Sequence, residues 1–187
     1  MSATSQPFGL RAAYSPSGTV RPAAYTILTG YGTTIYQNQP VKIVPSSTGE
    51  GTIAAAAVGD RFIGTFCGVE YTDSDGRRRV TNKWTASTAG TDIVAYVTLD
   101  PTIVYEIQSN AALAVTDIGK QFDFTAASGN AVVGVSTQLL DVASAAANAS
   151  FRLIGITPGP DNAFGDTYVI AQVQVSKHQM VADLAAF

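Results

Sequence analysis

The sequence predicts an all-β, antiparallel fold: a small barrel or curled β-sandwich with an extended N-terminal arm and little helix. Short runs rich in β-branched and aromatic residues recur from Tyr25 onward, with turn residues between them. Several runs alternate with a period of two. Val169, Ala171, Val173 and Val175 fall on one face and Tyr168, Ile170, Gln172 and Gln174 on the other, while Ile103, Tyr105 and Ile107 alternate with Val104, Glu106 and Gln108. No long amphipathic helical repeat separates the runs, which argues against a parallel α/β arrangement.

Residues 1–24 contain Pro7, Gly9, Pro16, Gly18 and Pro22 and show neither helical nor strand periodicity, so they read as an arm. Phe8, Leu10, Tyr14 and Tyr25 would be wasted on a solvated tail, and Arg11 and Arg21 are spaced among them. Disordered linkers are poor in aromatics, so the arm is expected to dock, either on a neighbouring molecule or back on its own body. Residues 25–187 are expected to form a single β-rich domain with a short C-terminal tail. Its strands are expected in order at YTILTG (25–30), PVKIVP (40–45), GTIAAAAVG (51–59), RFIGTFCGVEY (61–71), RRVTNKW (78–84), DIVAYVTL (92–99), TIVYEIQ (102–108), QFDFT (121–125), AVVGVST (131–137), FRLIGIT (151–157) and TYVIAQVQVSK (167–177). Gly64 and Gly68 within the fourth run mark a bulge, a bend or a close backbone approach. Helix is expected only as a turn or two within LLDVASAAANAS (139–150) and KHQMVADLAAF (177–187).

The 187 residues, 46% of them apolar, suffice to bury a core. Only 13% are charged, against about 25% in an average soluble protein. Such a surface suits a protein that works within an assembly, where much of it is covered. The net charge of −3 supplies no global basic field toward nucleic acid or anionic lipid, so neither is expected as a partner. No uninterrupted apolar run is long enough for a spanning helix, and MSATSQPFGLRAAY shows no secretory leader, so a cytoplasm-like compartment, or release by lysis, is expected. The single cysteine, Cys67, excludes an internal disulfide framework and a Cys-rich zinc site, and in its apolar run it reads as a small buried hydrophobe.

The inventory for catalysis is thin. His178 is the only histidine and follows the last strand, so every Ser-His-Asp or Cys-His arrangement would depend on a tail residue. Asp73, Asp75 and Gly76 resemble a calcium loop only in passing: the glycine comes too early and Arg77, Arg78 and Arg79 stand where ligands belong. Asp161, Asn162 and Asp166 gather in a Pro/Gly loop where oxygen ligands could hold a hard cation, although such residues are ordinary loop formers. No phosphate-cradling glycine motif is present. The expectation is a protein without catalytic residues, metal or cofactor. The arginine run sits beside an Asp-Gly turn, so alternation puts Arg77 and Arg79 on one strand face and Arg78 on the other, with Glu70 and Asp73 available for cross-strand pairing. That favours a solvated or protein-facing hairpin over a nucleic-acid patch.

The phrases PFGLRAAYSPSGTVRPAAYTI, FIGTFCGVEYTDSDGRRRVTNKW, AYVTLDPTIVYEIQ, TDIGKQ, LIGITPGPDNAFGD and VQVSKHQMVA, in this order over most of the chain, resemble capsid decoration or cement proteins of podovirus-like tailed bacteriophages. The resemblance implies a structural virion protein on the outer face of the head, tying neighbouring major capsid subunits together. It also implies a homotrimer at three-fold positions, as decoration proteins often form, with dimers and monomers as the other arrangements they adopt. The partner-facing residues expected on this reading are Phe8, Leu10, Arg11, Tyr14, Arg21 and Tyr25 of the arm and Arg77, Arg78 and Arg79 of the hairpin. An alternative is a carbohydrate-binding or adhesin module of a tail or spike, with Tyr31, Tyr36 and Trp84 as its platform. A weaker one is a hydrolase acting through Asp161 and Asp166.

Overall fold

In chain order the strands are β1 (Arg11–Tyr14), β2 (Pro22–Tyr25), β3 (Pro40–Val44), β4 (Thr52–Ala55), β5 (Gly64–Thr72), β6 (Arg78–Thr81), β7 (Thr91–Thr98), β8 (Val104–Gln108), β9 (Gln121–Phe124), β10 (Gly129–Asn130), β11 (Val135–Ser136), β12 (Leu140–Ala146), β13 (Phe151–Ile156) and β14 (Ile170–Val175). They belong to a computed structural model that describes residues 4–45 and 51–184. One six-stranded sheet runs β1-β8-β14-β13-β9-β12, and a second runs β2-β7-β5-β3-β4 with β6 paired to β5. Among the described residues the paired strands all run antiparallel, and parallel contacts occur only as isolated single bridges. The only helical turn among the described residues is a 3-10 turn at Val115–Asp117.

Each sheet curls around its own hydrophobic cluster. The first encloses an aromatic core in which Phe62 meets Phe124 and Phe151 edge-on, at centroid distances of 6.0 and 5.5 Å. The second packs Ile27, Ile35, Val41, Ile53, Ile63, Phe66, Trp84 and Val97. Single bridges, Ser109 to Leu140 and Thr26 to Thr52, draw together strands lying apart in each sheet, yet neither sheet closes into a barrel. The curled sandwich is therefore the observed form and the barrel is not. Phe62 and Ile63, adjacent in sequence, enter different clusters and so stitch the two sheets together.

Two glycines shape β5 as their positions in the run suggest. A Cβ on Gly64, at φ +152°, would lie 1.8 Å from the Thr98 carbonyl oxygen, so only glycine permits that approach. The register with β7 slips between Phe66 and Gly68, which leaves Cys67 as the extra residue of a bulge.

Several local expectations are corrected: β1 and most of β2 form within residues 1–24, where the sequence shows no strand period, and the expected strand at 25–30 keeps only Tyr25, as the end of β2. Residues 140–146 form edge strand β12, paired to β9, and Val142 packs on the first core; pairing and burial override the helical preference of the alanines. No helix forms over 177–184 either, and residues 185–187 lie outside the described residues. In 131–137 only Val135 and Ser136 are strand; Val132 and Val133 sit on the hairpin turn, with Gly134 in the left-handed region at φ +80°. Alternation over 103–108 suggests one buried face, yet all five residues of β8 are buried. Its second face is covered by the N-terminal segment.

Candidate attachment surface

The N-terminal segment is extended and lies along its own body. The Gln6 amide donates to Gln108 Oε1 at 2.8 Å, and Gln108 Nε2 donates to the Thr4 carbonyl at 2.9 Å. β1 pairs with β8, and β2 pairs with β7. Leu10 is fully buried in the first cluster, which corrects its expected role as an intermolecular anchor: its side chain is spent on its own core. Tyr25 is half-buried against the second cluster, and burial raises its hydroxyl pKa. Phe8 is half-buried beneath the Arg11 guanidinium, 4.7 Å from its ring centroid, and Arg11 also pairs with Glu106 at 2.5 Å. Tyr14, 47% exposed, and Arg21 remain on the outside, and among the described residues β1 pairs with β8 alone.

The turn after β1 is clamped. Asp100 Oδ2 accepts from the Ser17 and Ser15 hydroxyls at 2.6 and 2.9 Å. Its Oδ1 accepts from the Thr102 hydroxyl and amide at 2.6 and 2.8 Å. These donors, Ser17 foremost, hold the Asp100 carboxyl far below the usual carboxylate range.

The arginine hairpin has the predicted shape. The Gly76 amide donates to the Asp73 carbonyl, and Gly76 takes φ +78° to let Arg77 return the chain. Arg79 pairs with Asp73 and Asp75 at 3.2 and 3.3 Å, and Arg77 with Asp75 at 3.5 Å. Arg78, on the other face, pairs with Glu70 at 3.4 Å and donates to the Asp92 carbonyl at 2.8 Å. Each of the three arginines thus meets a carboxylate of its own neighbourhood, and the run presents no uncompensated basic patch.

Groups with chemical potential hold the fold. His178 is buried; its Nδ1 accepts from the Met180 amide at 3.1 Å, so Nε2 carries the proton toward the Ile63 and Leu99 carbonyls at 2.9 and 3.2 Å. Burial lowers its pKa and keeps the ring neutral where the first sheet's last strand meets the second sheet. Asn162 donates to the Thr157 and Ile170 carbonyls and accepts from the Ile170 amide, closing the β13–β14 connection. Asp166 accepts from the Ala163 amide. Among the described residues no three His, Cys, Asp or Glu side chains are arranged to hold a metal.

None of the three aromatics expected as a sugar platform is displayed as one: Trp84 is buried and Tyr31 and Tyr36 are partly buried. Trp84 is fully buried and stacks edge-on with Tyr71 at 5.4 Å. The Tyr31 hydroxyl accepts from the Ala55 amide, and the Tyr36 ring closes over Gly129, where a Cβ would come within 2.2 Å of it.

A different surface emerges on the outer face of the second sheet. Pro22, Cys67, Gly68, Val69, Val80, Thr81, Asn82 and Tyr96 line a groove of about 430 Å³. Cys67 is half-buried here, at the β5 bulge, where the sequence pointed to full burial, and burial raises its thiol pKa. Beside the groove stands the β10–β11 turn, with Val132 95% and Val133 59% exposed. Asn82 Nδ2 donates to the Val133 carbonyl at 2.8 Å, and Lys83 Nζ donates to the Ala131 carbonyl. The valine pair was assigned to a strand, so its exposure escaped sequence reasoning; the Gly134 that follows it was the available turn signal.

No protein-family model, curated protein or solved structure matches this chain.

Proposed function

We propose that this chain is a structural, non-enzymatic virion protein: a cement or decoration protein made in the host cytoplasm. It binds the outer surface of a phage head and strengthens contacts between major capsid subunits. Its partners on this reading are the major capsid protein and further copies of itself, as a homotrimer, with no role for nucleic acid or membrane.

The observation that carries the reading is how the polar groups are used. His178, Asn162, Asp166 and Asp100 are engaged in holding backbone and hydroxyl groups, while the exterior is poor in charge and displays Tyr14, Val80, Val132 and Val133. A rigid body with an adhesive exterior is what a cement protein needs. Preferential binding to the assembled lattice stabilises that state by linkage, and contact with several subunits makes the later contacts effectively intramolecular. The capsid-facing residues on this reading are Tyr14, Arg21 and the Phe8–Arg11 pair, along the open edge of β1, where a neighbour's strand can add main-chain bonds.

Removal of residues 2–20 is an unsuitable test, because it would delete β1 and Leu10 from the core. Tyr14→Ala and Arg21→Glu change exposed side chains and leave the core alone. On undecorated heads, Tyr14→Ala is expected to weaken binding by about 1–4 kcal/mol, the range of an interface anchor. Undiminished occupancy by both variants would sink the proposed edge.

A further inference from the structure

The outer face of the second sheet carries both halves of a self-complementary contact. The projecting half is the Val132–Val133 turn, the most exposed pair of large apolar side chains joined in sequence among the described residues. The receiving half is the groove floored by Cys67 and Gly68 and walled by Val80 and Tyr96. Asn82 belongs to both, since it lines the groove and holds the Val133 carbonyl. The turn is fixed as well as exposed: in addition to Asn82 and Lys83, Asn130 Oδ1 accepts from the Val132 and Val133 amides at 2.9 and 3.1 Å. Little conformational entropy remains for it to lose on docking.

Charge also favours a copy of the same chain as the occupant. The flanking cations Arg77, Arg78, Arg79 and Lys83 are matched in number by the anions Glu70, Asp73, Asp75 and Asp92. Most of these are already paired within the hairpin. Two such faces meet without net repulsion, whereas a strongly acidic or basic partner would find no opposing field.

We infer that this face is a self-association surface, in which the Val132–Val133 turn of one copy seats in the Cys67–Val80–Tyr96 groove of another. The partner is a second copy of this chain, and the contact is hydrophobic at its centre with a balanced polar rim. In a two-fold arrangement each copy gives its turn and receives its neighbour's; head-to-tail repetition of the same contact closes a ring when the rotation between copies divides a full turn. The inference rests on the self-association within the proposed function and assigns it a surface.

The test is the mass of the purified full chain in solution, by sedimentation or light scattering, without any phage head. The wild type is expected to associate, and the double variant Val132→Asp, Val133→Asp to run as a monomer that keeps the wild-type circular dichroism spectrum and melts cooperatively, as the wild type does when diluted below its association range. Val80→Asp, on the groove side, is expected to do the same. Under mild oxidation, Val132→Cys is expected to give a covalent oligomer whose peptide map joins position 132 to Cys67 of the other copy. A wild type that stays monomeric up to about 100 µM, too weak for a dedicated interface, overturns the inference. So does a double variant that remains associated, or a cross-link joining only position 132 to itself. Head binding is measured separately: a monomeric wild type whose double variant loses head occupancy assigns this face to the capsid lattice, whereas undiminished occupancy leaves the head-binding reading intact.

Discussion

The N-terminal segment and the arginine hairpin look alike in sequence and differ in the fold. Both are turn-rich, and both display side chains suited to meeting a partner. The segment is drawn into the molecule: Leu10 has no exposed surface, and Gln6 reaches Gln108 across 102 positions of chain. The hairpin stays outside, with the Arg77 side chain 77% exposed, and its contacts are local, as in Arg79 to Asp73 across six positions. The difference lies in what each segment would leave unsatisfied if detached. Without the segment, the Glu106 and Gln108 face of β8 would stand bare beside a hole where Leu10 packs. Without the hairpin's ion pairs, water would solvate the same charges at little cost.

The sharpest way to break this comparison is to truncate Leu10, the fully buried side chain that the segment puts into the first cluster. Leu10→Ala is expected to destabilise the protein by about 2–5 kcal/mol, since the rigid aromatic cluster around it cannot fully collapse into the cavity. Denaturant unfolding measures it. A change within error would mean that the segment is not integral and that truncation is a fair test of attachment after all.

A smaller effect is expected at the clamp on the turn after β1. The Asp100 carboxyl titrates far below its unfolded value because Ser17, Thr102 and Ser15 donate to its ionised form. A depressed carboxylate adds stability that is present above its unfolded pKa, about 3.9, and is lost as pH falls below that value. Asp100→Asn is therefore expected to melt below the wild type at pH 7, with the gap narrowing as the medium is acidified toward pH 2. Thermal melts at both pH values decide it; a gap that holds constant or widens in acid removes the clamp from the account.

Legibility follows the same division between local and distant causes. Alternation in β14 was readable because Val169, Ala171, Val173 and Val175 are buried by one sheet face alone. The hairpin was readable because Asp-Gly and the flanking carboxylates lie within a few residues of the arginines. Burial of both faces of β8 was not, since the cover comes from residues about a hundred positions away. The run at 140–146 misled for a related reason: alanine's helical preference is local, whereas the pairing that makes β12 a strand comes from β9. The platform aromatics misled similarly, because the second cluster that encloses Trp84 is drawn from distant stretches of chain. The groove is legible only once β2, β5, β6 and β7 lie side by side; its residues come from four separate stretches of chain.

The smallest effect is expected where the sequence drew most attention. Arg79 pairs with two carboxylates, yet its side chain is 45% exposed and every partner stands at the surface. Arg79→Ala is expected to leave the melting temperature unchanged within error, in low salt and high salt alike. Salt discriminates between the two ways this can fail. A loss of stability that vanishes at high ionic strength would mean the hairpin's ion pairs act as a network rather than as solvated neighbours. A loss that persists in salt would point to the arginine stem covering Tyr71, its cross-strand neighbour. An unchanged melt alongside the expected collapse of Leu10→Ala would establish that the segment builds the fold and the hairpin decorates it.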